Sequence, residues 1–253
     1  MTQYSYQLYS SRNYPPLSDT LNMISEAGYS AVEGFGAMYE GLADVSALKA
    51  ELDAAGLTMP TGHFGLQWLE SDPDGAMKTA RDLGIKVIIV PFIMPEDRPT
   101  DAAGWKAYGK SLAKVSDTIT AAGFKFGYHN HDFEFVALPT GEIPMALILD
   151  SAPNIGLELD VAWVVRGGSD PLEWIERYSD RIICTHIKDI AASGTCQDED
   201  GWADVGHGTV DWPTVFKAAR ATGCKHFIAE HDNPNDHKRF AERSIAAMKA
   251  MEG

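Results

Sequence analysis

Cysteine is scarce in this sequence, and long apolar runs and clusters of basic residues are missing. Of its 253 residues only three are cysteines, Cys184, Cys196 and Cys224, and no two of them form a CxxC pair. An odd number of widely spaced cysteines excludes a disulfide framework and a thiolate zinc site, and it suits a reducing compartment. No apolar run approaches the roughly 20 residues of a membrane span, and residues 1–14 lack the apolar core of a signal peptide. We therefore expect a cytoplasmic protein without a membrane partner.

Positive charge is also scarce. The chain has 21 Lys and Arg residues against 36 Asp and Glu residues, which gives a formal net charge of −15. So acidic a surface repels phosphate backbones unless the basic residues gather on one face, and no block of them is present. We therefore expect no nucleic-acid partner. Because 45% of the residues are apolar, the chain can bury a core, and a disordered protein is excluded.

One pattern recurs along the whole chain. A helical stretch ends in a glycine and a short apolar run follows, with the clearest copies at Gly28, Gly56, Gly84, Gly123 and Gly223. Glycine supplies the left-handed conformation that ends a helix. An apolar run too short for a helix fits a buried parallel strand. The alternation of helices and strands predicts a parallel sheet.

The apolar runs predict eight strands and therefore a barrel. The predicted strands span residues 4–9, 31–35, 58–63, 87–92, 125–131, 156–161, 182–187 and 226–231, and the clearest helices span 18–27, 46–55, 105–122, 215–222 and 236–251. An open doubly wound sheet would carry a glycine-rich phosphate loop after its first strand, but residues 10–16 read SSRNYPP. A (β/α)₈ barrel takes about 250 residues. We predict an α/β protein in which residues 1–253 form a single TIM-barrel domain.

Polar and titratable residues collect at the ends of the later predicted strands. The segments are 61–65 (TGHFG), 128–134 (YHNHDFE), 156–160 (GLELD), 184–189 (CTHIKD) and 229–232 (AEHD). Buried parallel strands are normally apolar throughout, and unpaired carboxylates are costly to bury. The carboxyl ends of barrel strands are also where TIM barrels carry their chemistry. This edge of the barrel is the predicted site.

Three of these residues can converge on one point, because side chains alternate between the two faces of a strand. They are Asp160, His186 and Glu230. A set of carboxylates and imidazole without thiolate suits Mn²⁺, Co²⁺, Mg²⁺ or catalytic Zn²⁺. The structural alternative is that the carboxylates pair with nearby cations and that His186 is a neutral core histidine.

Other polar residues near this edge are candidates for substrate contacts. His129 and His131 share a face, and imidazole titrates nearest neutral pH, so we expect one of them to contact the substrate or act as acid or base. Lys188 either holds a substrate oxygen or pairs with Asp189. Further candidates at the mouth, each with a structural alternative, are Glu33, His63, Trp163 and His207.

In their order along the chain, the motifs resemble the sugar phosphate isomerase/epimerase family, the xylose-isomerase-like TIM barrels. The resemblance rests on residues 128–134, 157–163, 185–189 and 228–232, and on residues 205–212 (VGHGTVDW). It implies one divalent metal ion held by residues of predicted strands 5 to 8. The family's Asp, His and Glu ligands fall on Asp160, His186 and Glu230. We expect Mn²⁺ ahead of Co²⁺, Mg²⁺ or Zn²⁺.

The sequence departs from the family on the fifth predicted strand. The ketose 3-epimerases have a metal-binding glutamate there, whereas this chain has Tyr128 and His129. We take Glu134, just past the strand, as the fourth ligand, with His131 as the alternative. The departure puts the two-glutamate epimerase mechanism in question.

The resemblance implies a metal-dependent isomerase or epimerase that acts on a small-molecule keto-sugar through an enediolate. The metal would polarise the carbonyl. Glu230 would be the base on one face, Glu134 or His131 would serve the other face, and Lys188 with His63 would orient hydroxyl groups. We also expect that the chain can form a homo-oligomer.

Three other functions compete with this hypothesis. The Tyr-His-x-His segment resembles branches that process keto-inositols and 3-keto-glycosides, so a lyase, dehydratase or deglycosidase on the same metal site is the main alternative. An abasic-site endonuclease would need several zinc ions and a basic cleft, which the net charge disfavours. A non-catalytic sugar-binding subunit would need no metal.

Overall fold

Parallel strands close into a barrel in the computed structural model, which describes residues 2–252. The strands are β1 (Gln3–Gln7), β2 (Ala31–Gly34), β3 (Thr58–His63), β4 (Val87–Val90), β5 (Lys125–His129), β6 (Gly156–Asp160), β7 (Ile182–Ile187), β8 (Asp189–Ile190), β9 (Trp202–Ala203) and β10 (His226–Ala229). The barrel order is β1-β10-β7-β6-β5-β4-β3-β2, and β8 and β9 form a separate antiparallel pair. The predicted (β/α)₈ barrel is confirmed. The predicted domain also includes Met1 and Gly253, which lie outside the described residues.

Helices pack around the barrel between the strands. They are α1 (Leu17–Ala27), α2 (Ser46–Ala54), α3 (Leu66–Ser71), α4 (Pro73–Leu83), α5 (Ala102–Ala121), α6 (Pro144–Ser151), α7 (Val161–Arg166), α8 (Pro171–Arg177), α9 (Trp212–Ala221) and α10 (His237–Ala250). Helix α5 begins earlier than predicted because the Asp101 side chain accepts from the Gly104 N–H and caps it. Within residues 2–252, no helix has the length and apolar character needed to cross a membrane.

Several barrel strands end before the last residue that the sequence predicted for them. Strand β4 ends at Val90 because Pro91 has no N–H to donate to the ladder. Strands β5 and β10 end at His129 and Ala229, so His131 and Glu230 lie on the loops that follow. These side chains can therefore reach across the mouth of the barrel.

The side chain of Asn130 takes over where the β5–β6 ladder stops. Its Nδ2 donates to the backbone oxygen of Asp160, and its Oδ1 accepts from the Asp160 backbone N–H, both at 3.0 Å. Asn130 and Asp160 are fully buried. The amide thus replaces a pair of backbone hydrogen bonds and fixes the end of β6.

An apolar cluster inside the barrel lies beneath the polar residues. It consists of Val87, Ile89, Cys184 and Ile228 and is separate from the larger core between the barrel and the helices. Cys184 and Ile228 each precede a polar residue of the predicted site by two positions, so alternation gives both the same inward face. Inside the barrel, the middle of each of these strands therefore carries apolar side chains, and the polar side chains lie toward the carboxyl end.

The loop at residues 206–210 is held by the buried carboxylate of Asp189. Its oxygens accept from the backbone N–H groups of Gly206, Gly208 and Val210 at 2.9, 3.0 and 3.2 Å. A Cβ at Gly208 would lie only 2.2 Å from Asp189 Oδ1, so this close approach requires glycine. The loop is therefore anchored beside β7 and the mouth of the barrel.

Candidate active site

The mouth of the barrel contains a cavity of about 660 Å³. Its lining comes from the segments that follow β1, β2, β4, β5, β8 and β10, from the ends of β3 and β5, and from one residue of α7. The lining residues are Tyr9, Arg12, Phe35, Gly36, His63, Pro91, Phe92, Arg98, His129, His131, Asp132, Phe133, Trp163, Asp200, Glu230 and Asp232.

Four buried side chains form what we call the upper group: His129, Asp160, His186 and Glu230. His129 and Glu230 line the cavity, and Asp160 and His186 lie behind them. One ligand atom from each lies within 4.8 Å of the others. His186 Nδ1 is 2.9 Å from Glu230 Oε2 and 4.0 Å from Asp160 Oδ2. The structure thus brings together the three residues that alternation predicted, and it adds His129, which the sequence assigned to substrate binding.

Glu134, predicted as a ligand and as a base, does not join the upper group. The loop after β5 turns back, and Glu134 Oε1 accepts from the Tyr128 hydroxyl at 2.6 Å while Oε2 accepts from the His131 backbone N–H at 2.8 Å. Burial raises the pKa of Glu134 to about 7 despite these two hydrogen bonds. Both oxygens are engaged away from the point where the upper group meets.

A second set of side chains lies next to the upper group, on the side of the barrel interior. We call it the lower group, and it consists of Glu33, His63 and Glu158. His63 Nε2 is 2.7 Å from Glu158 Oε2 and 3.2 Å from Glu33 Oε1. Both carboxylates are fully buried. Glu158 has no role predicted from the sequence, although its spacing of two residues from Asp160 on β6 places both on one face.

The lower group and its neighbours carry buried charges of both signs. Burial alone would lower the pKa of His63, but Glu33 and Glu158 raise it to about 10. Burial also opposes the charge on His186, yet Glu158, Glu230 and Glu33 raise its pKa well above the ordinary value. Burial disfavours ionised Glu158, but the His186 and His63 cations hold its pKa well below normal. In the absence of a metal ion, the carboxylates therefore favour the charged form of the imidazoles, and the imidazoles favour the charged form of Glu158.

Asp160 is a buried carboxylate with an unpaired oxygen. Burial raises its pKa to about 7, against the opposing effect of Lys188. Asp160 Oδ2 has no hydrogen-bond partner within the described residues, and it lies 4.0 Å from both Lys188 Nζ and His186 Nδ1. Leaving a buried carboxylate oxygen in this state is costly. A divalent cation bound by the upper group would pair with this oxygen, so the residues present fit a metal ion.

His129 and His131 are neutral near pH 7. Burial lowers the pKa of His129 to about 4 and that of His131 well below its ordinary value. His131 lines the cavity, its ring packs 5.2 Å from that of Trp163, and its buried Nδ1 has no partner among residues 2–252. A neutral imidazole nitrogen of this kind can accept a proton.

Lys188 directly follows β7 and is 1% exposed. Its Nζ donates to Asp232 Oδ1 at 2.5 Å and to Glu230 Oε2 at 3.3 Å, and it lies 4.8 Å from the centre of the Trp163 ring. The predicted pairing with Asp189 does not form, because that carboxylate holds the loop at residues 206–210. Lys188 is instead tied to a residue of the upper group.

Among the predicted substrate contacts, His63 and Trp163 line the cavity, whereas His207 does not. His207 is exposed on the loop at residues 206–210 and is not among the residues that line the cavity. Two glycines flank it and Asp189 binds both of their N–H groups, so the loop turns its tip toward solvent.

Two aromatic walls flank the outer part of the cavity. On one side Tyr9 and Phe35 meet edge to face at 5.4 Å, and the Arg12 guanidinium lies 4.0 Å above Tyr9. On the other side, the Arg98 guanidinium lies 3.6 Å above Phe133. The Phe133 ring packs against Phe92, which lies on the loop after β4. No sequence signal predicts these walls, because their residues come from separate loops without a shared motif.

Known proteins resemble this chain over most of its length. The family model for the xylose isomerase-like TIM barrel matches residues 21–251. An inosose dehydratase from Geobacillus kaustophilus is 28% identical over 192 residues, which is 67% of this chain and 61% of that protein. The chain therefore spans less than two thirds of the length of that relative. An inosose dehydratase from Clostridium beijerinckii is 25% identical over 241 residues, 80% of each chain.

Solved structures share the fold at lower identity. A sugar phosphate isomerase/epimerase from Parabacteroides distasonis has a TM-score of 0.83 at 24% identity, covering 98% of this chain and 94% of that one. The IolI protein with a bound zinc atom has a TM-score of 0.74 at 18% identity, covering 100% of this chain and 96% of that one. At these identities the likeness establishes the fold alone.

Proposed function

Because this chain belongs to the xylose isomerase-like TIM barrel family, we propose that it is a metal-dependent lyase acting on a cyclic polyhydroxy ketone. The enzyme removes a proton next to the carbonyl and then expels water or another group from the β-carbon. The observation that carries this choice is the orientation of Glu134. Epimerisation needs a base on each face of the substrate. Of the two residues predicted for the second face, Glu134 is turned back onto Tyr128, which leaves His131. Glu230, predicted for the first face, is paired with His186 and Lys188, so His131 is left as the single base. The curated relatives named inosose dehydratase support the same choice.

In this proposal the upper group would hold one divalent ion through His129, Asp160, His186 and Glu230. The ion, when bound, supplies Lewis-acid polarisation of the substrate carbonyl. Two imidazoles among four ligands shift the preference from Mn²⁺, the sequence prediction, toward Co²⁺ or Zn²⁺. The zinc atom bound to the IolI protein supports this direction.

His131 is the proposed acid and base. A neutral nitrogen of its ring, which lines the cavity, would take the proton from the carbon next to the carbonyl, and the electron pair of that C–H bond would pass into the enolate. Collapse of the enolate breaks the bond to the β-hydroxyl, and the proton on His131 leaves with that oxygen as water. Lys188, held between Glu230 and Asp232, would orient a substrate hydroxyl.

A 3-keto-glycoside is the second candidate substrate, and the cavity favours it. Sites for drug-sized ligands measure roughly 300–1000 Å³, and this cavity of about 660 Å³ is larger than a single six-membered ring requires. The two aromatic walls would contact the aglycone. An alcohol would then leave from the β-carbon instead of water.

The experiment is to incubate the metal-loaded protein in D₂O with a keto-inositol and with a 3-keto-glycoside, and to identify products by mass spectrometry. Loss of water or of the aglycone supports the lyase. Deuterium incorporation with no eliminated group would favour the isomerase or epimerase. No change in either substrate would contradict both and favour a binding protein.

A further inference from the structure

The two imidazoles of the upper group each reach into the lower group with their second nitrogen. His186 Nε2 lies 2.7 Å from Glu33 Oε1, while its Nδ1 faces Glu230 and Asp160. His129 Nδ1 lies 3.1 Å from Glu158 Oε2. One ring nitrogen of each histidine is therefore engaged by a buried carboxylate below the metal position.

A neutral imidazole has one nitrogen that donates and one that accepts. An ionised carboxylate only accepts, so Glu33 and Glu158 keep a hydrogen on the ring nitrogens that face them. The other nitrogen of each ring is then the one that can lend its lone pair to an ion, and at His186 an ion bound beside Glu230 would replace the proton that this carboxylate otherwise holds on Nδ1. We infer that Glu33 and Glu158 are positioning residues, which fix the tautomers of His186 and His129 so that each presents a lone pair to the metal ion. This inference rests on the metal site of the proposed function.

The two carboxylates are themselves held in place. Gln7 Nε2 donates to Glu33 Oε1 at 2.9 Å, and His63 Nε2 lies 2.7 Å from Glu158 Oε2. These side chains come from β1, β2, β3 and β6, and Gln7, Glu33 and Glu158 are fully buried. A carboxylate fixed by partners on several strands can hold an imidazole in one orientation.

Glu158 also accounts for the departure on the fifth strand. A glutamate ligand needs no partner to select its donor atom, whereas an imidazole ligand does. This chain has Tyr128 and His129 on the strand where the resemblance implies a glutamate, and Glu158 is the carboxylate that His129 Nδ1 faces. The histidine and its carboxylate partner thus form one unit.

A second metal ion in the lower group is the competing explanation, since His63, His129, Glu158 and His186 could also surround an ion. With ions in both groups, His129 and His186 would each give both nitrogens to metal. Each ring would have to lose its last N–H proton. Hydrogen bonding to Glu33 and Glu158 needs no such loss, so the geometry favours the positioning role.

The test is Co²⁺ binding to the purified, chelator-treated full chain, followed by visible absorption and chelator competition. Glu33→Leu and Glu158→Leu remove the acceptor, and we expect them to weaken Co²⁺ binding about 10- to 100-fold. Glu33→Gln and Glu158→Gln keep an oxygen acceptor and should recover part of that loss. Glu199→Leu is the matched control, because Glu199 is a buried carboxylate that pairs with Arg239 instead.

We expect the wild type to bind one Co²⁺ per chain. The two Leu variants should bind Co²⁺ more weakly than the control does, and the Gln variants should recover part of the lost affinity. Affinities equal to that of the control would overturn the positioning role, as would two ions per chain with one lost in Glu158→Leu. If the Leu variants do not fold, wild-type affinity in both Gln variants overturns it. No Co²⁺ binding by the wild type would overturn the metal site and this role together. If the Co²⁺ affinities follow the expected pattern but no product of elimination forms, only the proposed lyase reaction is overturned.

Discussion

Removing the amide of Asn130 should both destabilise the protein and weaken metal binding. Its side chain makes two hydrogen bonds of 3.0 Å to the backbone of Asp160. In Asn130→Ala a buried N–H and a buried C=O lose their partners, and each such group costs roughly 1–3 kcal/mol. We therefore expect a loss of about 2–6 kcal/mol in the free energy of unfolding.

Denaturant unfolding of the metal-free protein measures this loss, and Co²⁺ competition measures the effect on Asp160 as a ligand. The control is Asn154→Ala, because Asn154 also bonds through its side-chain amide but is exposed. We expect Asn154→Ala to cost less than Asn130→Ala and to leave Co²⁺ affinity unchanged. A loss below about 0.5 kcal/mol for Asn130→Ala, within the range of ordinary surface changes, would refute the reasoning.

Three further predictions follow from the site. Glu134→Gln should keep one bound ion per chain while it lowers stability, because Glu134 bonds to Tyr128 outside the upper group; loss of the ion on metal analysis would restore Glu134 as a ligand. Phe133→Ala should raise KM for a 3-keto-glycoside more than for a keto-inositol, and equal changes in steady-state assays would argue against an aromatic contact with the aglycone. The pKa of His63 is about 10 against an ordinary 6.5, because Glu33 and Glu158 outweigh the effect of burial. Protonated His63 therefore stabilises the metal-free protein fully below pH 6.5, and this contribution is lost as pH rises through 10. Urea unfolding from pH 7 to 10 should show falling stability that His63→Gln flattens, and a pH-independent difference between the two proteins would contradict the ion pairing.

The barrel could be predicted because each of its units carries local signals. Glycines such as Gly28, Gly84 and Gly223 end or follow helices with positive φ, and apolar runs of strand length follow them. The strand ends were less accurate. Side-chain events such as the Asn130 bridge and the missing N–H of Pro91 decide where a ladder stops, and these depend on neighbours distant in the chain.

The site could be predicted only in part. Asp160, His186 and Glu230 were found because a polar residue near the end of a buried strand is unusual. Glu134 was assigned from its distance along the chain, and the turn after β5 that carries it back onto Tyr128 leaves no sequence signal. The role of Glu158 could not be predicted, because periodicity places it on the inward face without indicating that it meets three imidazoles there.

The most direct test of the account is the metal content of the untagged wild-type protein and of Asp160→Ala, measured by mass spectrometry. Asp132→Ala is the control, because Asp132 lines the cavity but is outside the upper group. We predict about one divalent ion per chain in the wild type and in the control, and none in Asp160→Ala. A wild type that holds no ion after exposure to Mn²⁺, Co²⁺ or Zn²⁺, or an Asp160→Ala variant that keeps its full content, would contradict the metal site.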